Sequence, residues 1–436
     1  MGRKKLTGEL VVAMNGLEVG RWTYAPPADN RFHYSPAWLQ DPAAVPVSLS
    51  MPLSSEAVVG DRVWNFFDNL LPDNADIRRR LQARLGAPSA RPFDLLAGMG
   101  GDCVGALQIY PASSAPPDVR RIDADVLDDE QIADALRNYR DRPLGIDRDG
   151  EFRVSIAGAQ EKTALLWRDG RWCRPRGATP TSHILKLPIG QGAGIDLTDS
   201  VENEWLCLRL AAAMGLPVAK AEMHDFVEQR VLVVERFDRR WAADGTWLTR
   251  LHQEDFCQAL GVAPANKYES EGGPGVKQSF ELLHRSREPV ADRRTFFRAL
   301  VVYWLLAAID GHAKNFSLFL LPSGRCRMTP LYDVLSAYPI AARRQLQLCK
   351  VKMAMAALGN NKHCKWDDIQ PRHWLSTAEQ VGLPRADVDA VLQDVVARGA
   401  GAIAAVQAEL PAGFPDVVAT PILDGVAKAL AQLATG

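Results

Sequence analysis

Apolar and polar positions alternate over residues 8–25 on either side of Asn15-Gly16, a dipeptide suited to a two-residue turn, so the chain is expected to open with short strands. The alternation resumes near Val45-Pro46-Val47-Ser48-Leu49, where further strand is expected. Over residues 61–85 the period becomes helical: Val63, Phe66, Phe67 and Leu70 form one apolar stripe, and Pro72-Asp73-Asn74 marks a break and a new helix start. Residues 112–117, rich in Ser and Pro, read as a link. Beyond 151, strands are expected at 152–156, 163–168, 183–187 and 230–235, with one helix at 198–214 closed by Gly215. After residue 250 the pattern is mainly helical, interrupted by Gly272-Gly273-Pro274-Gly275 and by two strands around Pro322-Ser323-Gly324. The succession predicts an α+β protein with units at 1–112 (β-rich), 113–240 (a sheet with one packed helix) and 241–436 (mainly helical).

The chemistry concentrates where one helical pattern ends. Residues 292–309 carry apolar side chains at 297, 300, 301, 304, 305 and 308, the spacing of a helix with one strongly buried face. The polar run Asp310-Gly311-His312-Ala313-Lys314-Asn315 follows at once, and such groups beside a core are costly unless something uses them. A strand at 316–320 then turns at Ser323-Gly324 and returns to Asp333. The order Asp310, Asn315, hairpin, Asp333 matches the order of parts that phosphoryl transfer by protein kinases requires. One carboxylate, Asp310, is expected to accept or orient the hydroxyl proton, while the Asn315 amide oxygen and the Asp333 carboxylate are hard oxygen ligands of the kind Mg2+ prefers.

Lys186, inside the apolar strand at 183–187, is a candidate cation for the phosphates. The helix after it offers Glu202 and Glu204 as carboxylates to hold that lysine, and Glu204 is the expected partner. An ordinary lysine snorkelling from a sheet face is the plain alternative. The stretch Ser155-Ile156-Ala157-Gly158-Ala159-Gln160-Glu161-Lys162 joins two expected strands with small residues that let backbone amides approach phosphate. It is not a Walker loop, since Glu161 stands where glycine must precede the lysine.

Charge narrows the partners. With 51 basic and 52 acidic residues the net charge is −1, so the whole-molecule field does not favour nucleic acid or an anionic membrane. The clearest local basic bias is 341–374, where Lys362, Lys365 and Arg372 are possible DNA contacts, against Asp367 and Asp368. The seven cysteines are scattered and form no CxxC pair, which argues against a disulfide framework or zinc site and fits a reducing cytoplasm. No secretory or myristoylation pattern is read at the start, and the longest apolar run, 299–309, is well short of the ~20 residues needed to cross a bilayer.

Five blocks together resemble the HipA toxin-kinase family: Phe66-Phe-Asp-Asn-Leu-Leu-Pro-Asp73, Ser155-Ile-Ala-Gly-Ala-Gln-Glu-Lys-Thr163, Glu235-Arg-Phe-Asp-Arg-Arg240, Lys267-Tyr-Glu-Ser-Glu-Gly-Gly-Pro-Gly275 and Asp310-Gly-His-Ala-Lys-Asn-Phe316. The resemblance implies a two-lobed fold similar to protein kinases and phosphatidylinositol kinases, with a small β-rich N-terminal subdomain and a mainly helical C-terminal lobe. It places ATP against Ala157, Gly158, Ala159, Gln160, Glu161, Lys162, Lys186, Glu235, Arg236, Phe237, His312, Ala313, Lys314, Asn315, Tyr332 and Asp333, with Mg2+ on Asn315 and Asp333 and Asp310 as general base. It further implies autophosphorylation of Ser155 as a self-inactivating switch, because added negative charge repels nucleotide phosphates. It also implies a protein substrate resembling glutamyl-tRNA synthetase, and a helix-turn-helix HipB-like antitoxin that bridges to operator DNA. Two readings from other classes compete: a DNA-bound corepressor scaffold with vestigial activity, and a kinase for lipids or small molecules. The intact Asp310, Asn315, Asp333 and Lys186 favour the protein kinase.

Overall fold

The computed structural model describes residues 8–25, 29–138, 162–192 and 194–435. The strand expected at 152–156, Ser155, and Ala157, Gly158, Ala159, Gln160 and Glu161 lie outside the described residues.

The chain opens as the alternation demands. Strands Gly8–Met14 and Leu17–Ala25 pair antiparallel, with Met14 opposite Leu17. Asn15 (φ 47°) and Gly16 (φ 83°) supply the two left-handed residues that this tight connection needs. Three more antiparallel strands complete a five-stranded sheet in the order Val58–Val59, Asp29–Tyr34, Leu17–Ala25, Gly8–Met14, Leu107–Pro111. Its inner face carries Leu10, Val12, Trp22 and Phe32, and the helix Asp61–Asp68 lays Val63, Phe66 and Phe67 on it. The Trp22 and Phe67 rings stack at 4.1 Å. Asn74 then caps the helix Ala75–Leu85, its side chain accepting from Asp76 and Ile77 amides.

The strand expected near Val45–Leu49 does not form; only an isolated bridge joins Ser48 and Met51. Tertiary partners take the backbone groups instead: Val47 N–H donates to the Tyr34 hydroxyl (2.8 Å), and Leu49 N–H to Glu254 Oε1 (2.8 Å). Burial pushes the Glu254 carboxyl up to about 8, against the lowering pull of its hydrogen bonds from Ser48 and the Leu49 amide. Between the ordinary glutamate value and 8 the unfolded chain releases a proton that the folded chain keeps, so this residue erodes stability as pH rises through that window. Glu254→Gln is therefore expected to flatten the pH dependence and to stabilise the protein by on the order of 2 kcal/mol near pH 8. Thermal midpoints at about pH 5 and pH 8 test it, and equal slopes for both proteins would refute it.

The second sheet has six antiparallel strands, ordered Ala221–Phe226, Gln229–Glu235, His183–Lys186, Lys162–Arg168, Arg171–Pro175, Ala124–Val126. Helix Ser200–Ala213 packs against it and ends at Gly215 (φ 83°). One face of the sheet, with Leu165, Leu185, Val231 and Val233, closes on helix Asp129–Arg137 through Ile132, Ala133 and Leu136. The C-terminal lobe is mainly helical and holds the largest core, which also takes in Val201, Leu206 and Leu210 from Ser200–Ala213. The two lobes therefore share that helix.

The central helix of this lobe, Pro289–Leu305, departs from expectation twice. Every position from Ala299 to Leu305 is buried rather than one face alone. It also ends four residues early, because Ala307 is left-handed (φ 47°) and the Ala307 and Ala308 amides bond back to the Trp304 and Tyr303 carbonyls, closing the end as a Schellman turn. The helix Asp416–Thr435 is long and apolar enough to cross a membrane, although Asp424 and Lys428 interrupt its apolar residues. Here it contains Pro421 and buries Ile422, Leu423, Val426 and Leu430 in the lobe's core.

Candidate active site

The early end of Pro289–Leu305 frees residues 306–315 to form a loop folded around one carbonyl. The Asp310 carbonyl accepts from His312 N–H (2.8 Å) and from Asn315 Nδ2 (2.7 Å), while Asn315 N–H reaches the His312 carbonyl (2.9 Å). Gly311 permits the turn because a Cβ there would stand 2.6 Å from the Tyr303 ring. With its nitrogen committed to Asp310, the Asn315 side chain has its oxygen left to serve as a ligand. Strand Ser317–Leu321 follows, turns through left-handed Ser323 and Gly324, and returns as Arg325–Met328. Asp333 is itself left-handed (φ 55°), an uncommon conformation for a non-glycine residue and one concentrated at functional positions.

The sheet brings the cations to the same place by register. Lys162 lies directly opposite Lys186, so both side chains leave the same face. Ile184, two residues before Lys186, shares that face, whereas Leu185 points into the opposite core. Lys186 Nζ donates to Glu204 Oε1 (2.6 Å) and to Asp333 Oδ1, and the Asp333 amide also donates to Glu204 Oε1 (3.1 Å). Glu202 instead pairs with Arg230 (3.1 Å). Burial opposes the charge on Lys186, but Asp333 and Glu204 outweigh it and hold its pKa above the ordinary lysine value. Desolvation raises the carboxyl of Asp333, which is only partly exposed (26%), yet Lys186 and Lys162 outweigh it and keep that carboxyl well below the usual range. The Lys162 ammonium is pushed down by burial, with Asp333 opposing.

Lys162, Lys186 and Asp333 line one cavity of about 280 Å³ between the lobes, while Glu204 reaches it through its bond with Lys186. Its wall includes Lys162, Lys186, Glu235, Arg236, Phe237, Asp310, His312, Lys314, Asn315, Tyr332 and Asp333, with Ile184, Val234 and Leu335 giving apolar surface. Among the expected contacts, Ala313 is fully buried and is not part of this wall. The Arg236 guanidinium turns into a buried network with Asp238 and Asp102, leaving the cavity to the rest of the residue. Lys314 Nζ is bound by Asn69 Oδ1 (2.8 Å) and faces Asp255 and Asp73, which raise its pKa against burial. Tyr332 ties its hydroxyl to Ser317 and to the Lys314 carbonyl.

Asn69, Asp73, Gln253, Asp255 and Lys267 also line the cavity and had no assigned role. Asn69 and Asp73 sit in the block Phe66–Asp73, and Lys267 opens the block that ends at Gly275, but no local pattern shows that these blocks meet the loop at 306–315. Of the basic residues at 341–374, Arg343 pairs with Asp199 and Lys362 with Glu269, while Lys365 and Arg372 are exposed.

Known proteins share this architecture. Residues 10–110 match the HipA N-terminal domain and residues 154–403 the HipA-like C-terminal domain. A putative kinase, Y4mE, of Sinorhizobium fredii is 42% identical over 339 residues, covering 76% of this chain and 78% of that protein. The serine/threonine-protein kinase toxin HipA of Shewanella oneidensis is 30% identical over 347 residues, 76% of each chain. The solved complex of Shewanella oneidensis HipA with HipB and operator DNA superposes with a TM-score of 0.80 at 26% identity, covering 98% of this chain and 97% of that one.

Proposed function

The chain belongs to the HipA-like family of kinase toxins, and we propose that it is an ATP-dependent serine/threonine protein kinase whose reaction centre is the interlobe cavity. The observation that carries this is the convergence of Lys186, Glu204, Asp333, Asn315 and Asp310, from four separate stretches of chain, on one site. Ile184, Val234, Phe237 and Leu335 provide apolar surface for a planar base, and Lys186 and Lys162 supply positive charge for phosphates. Asp310 accepts the proton of the attacking serine hydroxyl.

The donor set fits Mg2+. Among the described residues no group of three or more His, Cys, Asp or Glu side chains is arranged to hold a metal alone. Asp333 and the Asn315 oxygen would therefore hold the ion together with phosphate oxygens, the mode that Mg2+ favours. When bound, it neutralises charge on the transferring phosphoryl group.

By family membership the proposal extends to toxicity through a protein substrate resembling glutamyl-tRNA synthetase, to a HipB-like antitoxin that links the kinase to operator DNA, and to autophosphorylation at Ser155 as the off-switch. Intact-mass measurement after incubation with MgATP tests the core of it. One phosphate mapped to Ser155 is expected; ATP binding without phosphate gained, on a chain that starts unmodified at Ser155, removes the reading.

A further inference from the structure

We propose that Tyr268 is the positioning residue of Asp310, and that Asp73 in the N-terminal unit braces it. The proposal rests on the kinase reading. It gives work to the Lys267–Gly275 segment, which that reading leaves without a role.

The Tyr268 hydroxyl donates to Asp310 Oδ1 at 2.6 Å. The Asp310 side chain is otherwise open, 58% exposed, with Oδ2 4.0 Å from His312 Nε2. A carboxylate on an exposed loop samples several rotamers unless something holds it, and a general base out of line loses most of its effect. One oxygen is thus held while the other is left for a substrate hydroxyl.

Tyr268 is itself well fixed. Its ring stands edge-on to His312 (centroids 4.9 Å apart), and Lys267 Nζ lies 5.5 Å from its centroid. Its carbonyl accepts from the Glu271 and Gly273 amides (3.0 and 2.9 Å), so the glycine-rich segment wraps around it. Gly273 is required there, since a Cβ would stand 1.9 Å from the Asn266 carbonyl oxygen. Lys267 Nζ bonds Asp73 Oδ2 (2.9 Å), and the Lys267 carbonyl accepts from the Ala313 amide of the catalytic loop (3.4 Å). A continuous path runs from Asp73 through Lys267 and Tyr268 to Asp310. Burial and the Asp310 charge push the Tyr268 hydroxyl well above its ordinary pKa, so it stays a donor.

In the step this serves, the serine hydroxyl gives its proton to Asp310 and its oxygen bonds the γ-phosphorus. The bond from that phosphorus to the bridging oxygen of ADP breaks, its electron pair leaving with ADP. Tyr268 keeps its proton throughout.

The test is the limiting rate of phosphate incorporation at Ser155 in full-length Tyr268→Phe, measured beside wild type across ATP concentrations. Loss of a hydrogen bond to a charged acceptor is expected to lower the limiting rate on the order of ten-fold. The half-saturating ATP concentration and thermal midpoint stay unchanged, because phenylalanine keeps the ring contacts. Asp73→Asn is expected to lower the rate in wild type and to add little in the Tyr268→Phe background, since both act through one path. A wild-type limiting rate in Tyr268→Phe, a loss expressed only in the ATP requirement, or full additivity of the two substitutions overturns the proposal. A wild type that transfers no phosphate sinks the kinase reading instead.

Discussion

Asp310→Asn lowers the limiting rate of phosphate transfer by on the order of 10³-fold while ATP binding is kept. Asparagine is close to isosteric, and its amide oxygen still accepts the Tyr268 hydroxyl, so the loop contacts survive. The backbone carbonyl that organises His312 and Asn315 is untouched. What is lost is the ability to receive a proton. The groups proposed to hold the nucleotide, namely Lys186, Asp333 and the apolar wall of the cavity, are left unchanged by the substitution. The measurement pairs phosphate incorporation under MgATP with an ATP titration of the same preparation. Transfer within ten-fold of wild type would show that some other group takes the proton.

Asp102→Asn destabilises the fold by about 3–5 kcal/mol without altering a group in the reaction centre. Asp102 is buried among three arginines, contacting Arg239 (2.8 Å), Arg250 (3.2 Å) and Arg236 (3.3 Å), and also accepts from the Thr181 amide and hydroxyl. Among the described residues Asp238 is the only other carboxylate in this buried cluster, so there three cations share two anions. Removing one leaves a guanidinium buried without a counter-charge, a penalty that exceeds the worth of the pair itself. Despite burial, the arginines hold the Asp102 carboxyl well below the usual range. Its contribution is therefore present above the ordinary aspartate value and is lost as pH falls through the depressed folded one. Wild type and variant should converge in stability on strong acidification, and equal thermal midpoints near neutrality would refute the role.

This network also fixes the path between lobes. Arg236 and Arg239 both donate to the Cys103 carbonyl (2.9 Å each), Arg239 donates to the Gly105 carbonyl (2.8 Å), and the Gly105 amide donates to Asp238 (2.7 Å). Gly105, left-handed at φ 74°, passes so close to Gln253 that a Cβ would stand 2.8 Å from its carbonyl oxygen. The Glu235-Arg236-Phe237 segment is thereby anchored from behind. Arg236, expected at the nucleotide, holds the cavity wall through its buried side chain.

Local periodicity made much of this protein readable. The Asn15-Gly16 turn, the stripe at Val63, Phe66 and Phe67, the Asn74 cap and the alternation that turns Ile184 and Lys186 to one face all depend on neighbours within a few residues. The order Asp310, Asn315, hairpin, Asp333 is readable for the same reason, because a short loop and hairpin keep those residues close whatever surrounds them. Tertiary structure decided what depends on distant chain. Residues 45–49 gave up strand pairing for Glu254 and Tyr34, groups that no local pattern assigns to them. The helix before Asp310 stopped at Leu305 because a left-handed Ala307 closes its end, where residues 306–309 still read as apolar helix. Asp73, Lys267 and Tyr268 reached the Asp310 loop only by folding across it; Tyr268 lies 42 residues from Asp310, and Asp73 194 residues from Lys267. Periodicity reports which face of an element is buried, but the identity of the group on the other side of a contact is a property of the folded chain.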